Sequence, residues 1–376
     1  MRILHFFKTY YPDTTGGIEH VIHQLCQGSQ PLGIDGRVLT LSRNPHPADI
    51  QVAGHPVHRS RENLHVASTG LSLQVFSDFK EMAAQVDVVH FHFPWPLMDL
   101  VHFATRHGKP SVLSYHSDII KQRWLLQLYR PLMNRFLNDM DRILVASPNY
   151  QLTSEALKQH TDKTVVVPYG LSQANAPFID EERLAYWQSR LPPKFFLFVG
   201  VLRYYKGLTF LLDALKDSDY PLVILGAGPE EQALKDQAQR LQLRNVTFLG
   251  RLEDEDKSCL LHLCYGMVFP SHLRSEAFGI SLLEAAMHGK PMVSCEIGTG
   301  TTYVNIHEHT GLAVPPETPL ALREAMTRLW NNPEEAKTFG CNAKQRFNEK
   351  FTAEQMCAST AQVYRDVLEG KKSGAF

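Results

Sequence analysis

The segment Ser275-Glu276-Ala277-Phe278-Gly279-Ile280-Ser281-Leu282-Leu283-Glu284 carries two carboxylates eight positions apart, where a loop turns into a helix. From Gly279 onward Ile280, Leu283, Ala286 and Met287 recur at helical spacing, which predicts a helix start near Gly279. The first amides of a helix have no internal partner, and with the helix dipole they favour an anion in front of them, most often a phosphate. Glu276 stands just ahead of that position, where a carboxylate accepts hydrogen bonds from sugar hydroxyls. Glu284 lies more than one turn further in, placed for a ribose. A loop that serves phosphate, sugar and ribose together binds a nucleotide sugar.

In its full setting, "SEAFGISLLEAAMHGKPMV", this pattern of a Glu, seven residues and a second Glu, with Phe-Gly after the first, resembles the retaining glycosyltransferases of the GT-B group. The resemblance covers the whole chain. Through "LHFFKTYYPDTTGGIEHVI" and "VLRYYKGL" it comes nearest to bacterial mannosyl- and rhamnosyltransferases of O-antigen assembly, in the glycosyltransferase family 4-like, group 1 set. It implies a nucleoside-diphosphate sugar as donor, GDP-mannose or GDP-rhamnose before a UDP-sugar, and a polyprenyl-linked glycan as acceptor.

Other residues acquire roles in that light. Arg203 and Lys206, three apart after the run "FFLFVGVL", keep their charge at neutral pH and suit a diphosphate. They resemble the Arg and Lys that hold the donor phosphates in the family, with a compressed gap. The glycines of Thr15-Gly16-Gly17-Ile18-Glu19 let backbone approach a ligand at a helix start, and the loop is similar to the family's glycine loop near diphosphate and acceptor. His116 closes the run "PSVLSYHSD" where the family has a histidine at the donor sugar. Gly250-Arg251-Leu252 corresponds to the base-binding loop, and Phe278, Gly279 and Ile280 to the phosphate-binding turn. One departure stands out: the family's Pro-Asn-Gly after the first half is Pro168-Tyr169-Gly170 here.

A metal role is not expected. Asp139-Met-Asp141, Asp217-Ser-Asp219 and Asp254-Glu-Asp256 fall at helix ends and loops, where Asp serves as cap or turn residue. His90 and His92 share one face of a strand, but no third ligand stands at metal spacing in the sequence. Arg203, Lys206 and the helix amides supply the positive charge that Mg²⁺ would bring.

Positioning these loops takes two domains, which 376 residues suggest in any case. Short apolar runs alternate with helical patterns in both halves, the signature of parallel sheets covered on both faces. The expected architecture is α/β: two doubly wound Rossmann-like domains facing across a cleft, with ligands at the carboxyl ends of the strands. Residues 1–175 form the acceptor-side domain and 176–352 the nucleotide-sugar domain. The segment Pro168 to Pro193, with Pro177 and a polar helical pattern at 180–190, reads as linker. A helix over 353–369, capped by Thr352 and ended by Gly370, is implied by the resemblance to cross back to the first domain.

A net charge of −1 offers nucleic acid no general attraction, and no segment reaches the ~20 apolar residues of a membrane span. Six cysteines without a Cys-x-x-Cys pair fit reduced thiols and a cytoplasmic enzyme. The basic, amphipathic segment 119–137, with Trp124, Leu128, Arg130 and Arg135, could lie peripherally at the inner membrane surface. Pro131 predicts a kink or two shorter helices there. Two other functions use the same motifs. An epimerase needs a carboxylate from the first half, for which only Glu19 offers itself, and a sensor would bind the nucleotide sugar without turnover.

Overall fold

A computed structural model describes residues 1–66, 69–119, 123–174, 177 and 179–373. The chain forms two compact units, one of residues 1–170 with the segment from Ala353 onward, the other of Leu171–Thr352.

The first unit is built on an eight-stranded sheet. Its order is Thr164–Val166, Arg142–Val145, Ser111–Tyr115, Val88–Phe93, Arg2–Phe6, Asp35–Ser42, His55–Arg61 and Asp49–Val52. All pairings are parallel except the last, where Asp49–Val52 runs antiparallel at the edge. Every residue of Val88–Phe93 is buried, as a strand with helices on both faces requires. The chain's first strand lies in the middle of the sheet, beside Val88–Phe93, with His5 opposite His90. The order reverses there, so the loops after these two strands diverge and leave a crevice at their carboxyl ends. The helix Ala353–Ser373 belongs to this unit and packs on the helix Gly17–Gly28, with the Cys357 thiol 3.5 Å from the Gln24 carbonyl oxygen.

The second unit has six parallel strands in the order Val246–Gly250, Leu222–Leu225, Phe196–Val199, Gly266–Phe269, Met292–Cys295 and Gly311–Val314. Numbered along this unit the order is 3-2-1-4-5-6, that of the dinucleotide-binding fold. Phe196, Phe198, Ile224, Val268 and Val293 centre its core. The strands Phe196–Val199 and Gly266–Phe269 flank the reversal point, and they lead into the loops that carry Lys206 and Glu276.

Several expectations change. The helical pattern at 180–190 forms as the helix Glu181–Gln188, capped by the Asp180 side chain, but it belongs to the second unit and not to a linker. Its Trp187 is buried, with the indole Nε1 donating to Asp256 at 3.0 Å, so one large apolar side chain recruits an otherwise polar segment. Arg123–Asp139 is one helix running through Pro131 rather than two. Burial of Met133, Phe136 and Leu137 on its inner face offsets the lost backbone bond. Residues 120–122 of that segment lie outside the described residues, as do the side chains of Arg123, Trp124 and Leu125. Gly370 does not end the final helix, which continues to Ser373. Among the described residues no helix is long and apolar enough to cross a membrane.

Candidate functional site

In the second unit the loop after Phe196–Val199 makes a single helical turn, Tyr204–Lys206, with Arg203 at its start and exposed. Gly207 ends the turn in the left-handed region, at φ 69°. A Cβ there would stand 2.0 Å from the Pro270 carbonyl oxygen, so the two loops touch backbone to backbone. This contact brings Lys206 to Glu276. The ammonium donates to the Glu276 carboxylate at 2.6 Å, and both side chains are almost wholly buried. Ser271 Oγ adds a longer contact of 3.5 Å to the same oxygen. Replacing Gly207 by Ala combines a disfavoured backbone conformation with a backbone clash. The expected cost exceeds about 2 kcal/mol, read as a lower urea midpoint for the second unit with Lys206 displaced.

Three residues beyond Glu276, Gly279 caps the helix Ile280–Met287 in a left-handed conformation, φ 92°. The helix therefore starts where the apolar spacing places it. The Phe278 side chain turns inward, with its ring 6.1 Å from that of Phe351, so Phe278 can serve a ligand only through its backbone. Gly300 backs onto this turn, its amide donating to the Ala277 carbonyl at 2.8 Å, which places the segment 298–305, "GTGTTYVN", behind the start of the helix.

Glu284 does not join Glu276. It pairs with Lys257 at 2.8 Å, and Lys257 also reaches Asp254 at 2.8 Å. Burial opposes the charge on Lys257, but Glu284 and Asp254 outweigh it and raise its pKa above the ordinary lysine value. Lys257 is not legible in the sequence as the partner of Glu284: it sits among "EDEDKS", which reads as a solvated helix start. Arg251 and Leu252 follow the strand Val246–Gly250 at the same end of the sheet, with Arg251 exposed.

The remaining candidates lie in the first unit. Gly16 caps the helix Gly17–Gly28. Glu19 folds back over it, accepting from Thr14 Oγ1 at 2.9 Å, and is buried. His116 follows the strand Ser111–Tyr115, and its ring nitrogens have protein partners on both sides. Nε2 is 2.9 Å from His92 Nδ1, and Nδ1 is 2.5 Å from the Tyr169 hydroxyl. Burial lowers its pKa to about 3. At neutral pH the ring is uncharged and has no nitrogen to spare for a sugar, so a contribution there falls to the backbone of His116.

The third histidine that spacing did not reveal is His5. Strand pairing sets it beside His90 and His92, with ligand nitrogens of the three within 4.8 Å of one another. Sequence could not show this, because the register of two strands far apart in the chain decides it. These nitrogens already bond protein groups: His5 to His92 at 3.1 Å, and His90 to Tyr364 at 2.6 Å and Ser114 at 2.8 Å. A metal would have to break those bonds, and no carboxylate joins the group among the described residues. Asp141 accepts from the Ser111 amide, Asp217 sits in a turn at φ 61°, and Asp254 and Asp256 lie in the first turn of the helix Asp254–Leu263.

Comparison with known proteins agrees with this geometry. A model described as Glycosyltransferase Family 4 matches residues 15–174, and one described as Glycosyl transferases group 1 matches 181–346. A D-rhamnosyltransferase, WbpZ, of Pseudomonas aeruginosa is 59% identical over 100% of this chain and 99% of its own. O-antigen chain mannosyltransferase C of Escherichia coli is 47% identical over 99% of this chain and 100% of its own. Among solved structures, a sucrose-phosphate synthase from Thermosynechococcus elongatus superimposes with a TM-score of 0.81 at 21% identity, over 98% of this chain and 99% of that one. The fold is GT-B, built of two Rossmann-like units. With both halves matched and two full-length relatives this similar, the chain belongs to the glycosyltransferases, with a family 4 domain followed by a group 1 domain.

Proposed function

We propose that the protein transfers mannose or rhamnose from its GDP-sugar to a lipid-linked glycan during O-antigen assembly, with retention at the anomeric carbon and without a metal. The observation that carries the reading is the Lys206–Glu276 pair, 2.6 Å apart, in loops that flank the strand-order reversal and just ahead of a helix start. Cation, carboxylate and helix amides then meet phosphate, sugar hydroxyls and phosphate again. The names of the two full-length relatives support rhamnose or mannose and a surface-polysaccharide acceptor. Arg251, beyond the strand Val246–Gly250, has the fork of donors that suits the O6/N7 edge of guanine.

As the bond from C1 to the diphosphate oxygen breaks, negative charge grows on the leaving group. Arg203, Lys206 and the amides of 279–281 face that charge, while Glu276 orients the sugar. The acceptor hydroxyl attacks from the face the diphosphate leaves, and its proton passes to the departing diphosphate oxygen. The protein's share is position and electrostatics. Peripheral contact at the cytoplasmic face would use Leu128, exposed on the helix Arg123–Asp139, together with Arg130 and Arg135.

The test is turnover of GDP-mannose and GDP-rhamnose with a polyprenyl-linked acceptor in EDTA, followed by the anomeric coupling of the product. Transfer with the donor's configuration intact supports the reading. Inversion, or loss of transfer in EDTA, contradicts it.

A further inference from the structure

Four histidines fill the middle of the first unit's sheet, and the family resemblance gives only His116 a place at the donor sugar. His5 lies on the strand Arg2–Phe6, His90 and His92 on its neighbour Val88–Phe93, and His116 just beyond the end of the next strand, Ser111–Tyr115. His92 and His116 stack with ring centroids 5.2 Å apart and planes 9° from parallel. Phe7 meets both rings edge-on. The contacts from His5 to His92, His92 to His116 and His116 to Tyr169 measure 3.1, 2.9 and 2.5 Å. Tyr169 stands where the family resemblance leads one to expect asparagine, a departure the reaction leaves unexplained.

We infer that Tyr169, His92 and His5 form a hydrogen-bonded chain that holds the His116 ring in one tautomer and one orientation, with Tyr169 and His92 as positioning residues for transfer. This rests on the reading that places His116 at the donor sugar.

A neutral imidazole has one N–H and one bare nitrogen, so a proton direction set at one end propagates through every ring. Tyr169 sets it. Burial raises the phenol's pKa and keeps it protonated, and a phenol O–H is a stronger donor to imidazole than the reverse. Tyr169 therefore donates to His116 Nδ1, His116 Nε2–H donates to His92 Nδ1, and His92 Nε2–H donates to His5 Nδ1. All three rings carry their proton on Nε2. His90 stays outside the chain, since both of its nitrogens bond Tyr364 and Ser114. Fixing the ring fixes the His116 backbone beside it, which a hydrogen bond from its amide to the Phe93 carbonyl also ties to the neighbouring strand.

The experiment is long-range ¹H–¹⁵N correlation of the histidine side chains in the full-length protein, with kinetics on Tyr169→Phe and His92→Phe. In the wild type, His116, His92 and His5 should show a protonated Nε2 and a bare Nδ1. Tyr169→Phe should leave the His116 tautomer mixed and lower kcat about tenfold with the donor KM unchanged. A protonated Nδ1 or a mixture in the wild type overturns the chain, and this measurement needs no variant to fold. A changed tautomer with unchanged kcat overturns the positioning role. Wild-type turnover in His116→Ala, which keeps the backbone and removes the ring, would overturn the ring's part in positioning, while the spectra still report on the chain.

Discussion

Glu276→Ala and Lys206→Ala are each expected to lower transfer at least ~100-fold, about 2.7 kcal/mol of transition-state stabilisation. The two side chains sit 2.6 Å apart and almost wholly out of water, so neither is a solvated surface charge. In the proposed reaction Lys206 faces the charge that builds on the departing diphosphate, a contribution larger in the transition state than before it. Glu276, in the same proposal, holds the sugar whose anomeric carbon must face the acceptor. Removing one partner also leaves the other buried and unpaired, which costs stability of its own. Melting curves and GDP affinity therefore accompany the kinetics. Glu276→Gln keeps the size but removes the charge and turns one accepting oxygen into a donor, so a loss of kcat with a near-normal melting curve assigns the effect to the carboxylate and not to folding. Near-wild-type turnover in a folded variant would remove that residue from its role.

The first unit is expected to be acid-labile. Burial lowers the pKa values of His5 and His116 from 6.5 to about 3, and those of His90 and His92 well below 6.5. Between these values and 6.5 the unfolded chain binds protons that the folded unit refuses, so stability falls as pH drops below 6.5. For His5 and His116 the loss between pH 7.5 and 5.5 is about 1.4 kcal/mol each, and His90 and His92 add in the same direction. His58 works the other way. Burial opposes its charge, but Asp49 and Asp78 raise its pKa, so its contribution is present at low pH and fades as pH rises. The buried four outweigh it. Hydrogen exchange of the strand Val88–Phe93 at pH 7.5 and 5.5, corrected for intrinsic rates, should show protection falling by several kcal/mol. Equal protection at both pH values would contradict this account.

How much of this was readable in the chain depends on the range of each interaction. The Gly279 helix start was legible because local spacing sets it, and the strands Val88–Phe93 and Phe196–Val199 because a strand covered on both faces must be apolar throughout. The Lys206–Glu276 contact spans 70 positions, and the loop approach at Gly207 and Pro270 brings it about. The Glu284–Lys257 pair and the place of His5 depend likewise on packing and register. Trp187 shows a local misreading: the polar residues around it suggested a linker, and the one buried side chain decided otherwise. Pro131 shows tertiary burial overriding a local signal.

The central claim is that the second unit binds a guanine nucleotide sugar through Lys206, Glu276 and the Gly279 turn. Thermal shift with GDP, UDP and ADP in EDTA, on the wild type and on Lys206→Ala, tests it most directly. A ligand at 100 times its dissociation constant adds about 2.7 kcal/mol, a clear rise in Tm. The account predicts that GDP alone stabilises the wild type and that Lys206→Ala abolishes the shift. Stabilisation by UDP in place of GDP would contradict the donor assignment, and no response to any of the three would contradict the site itself.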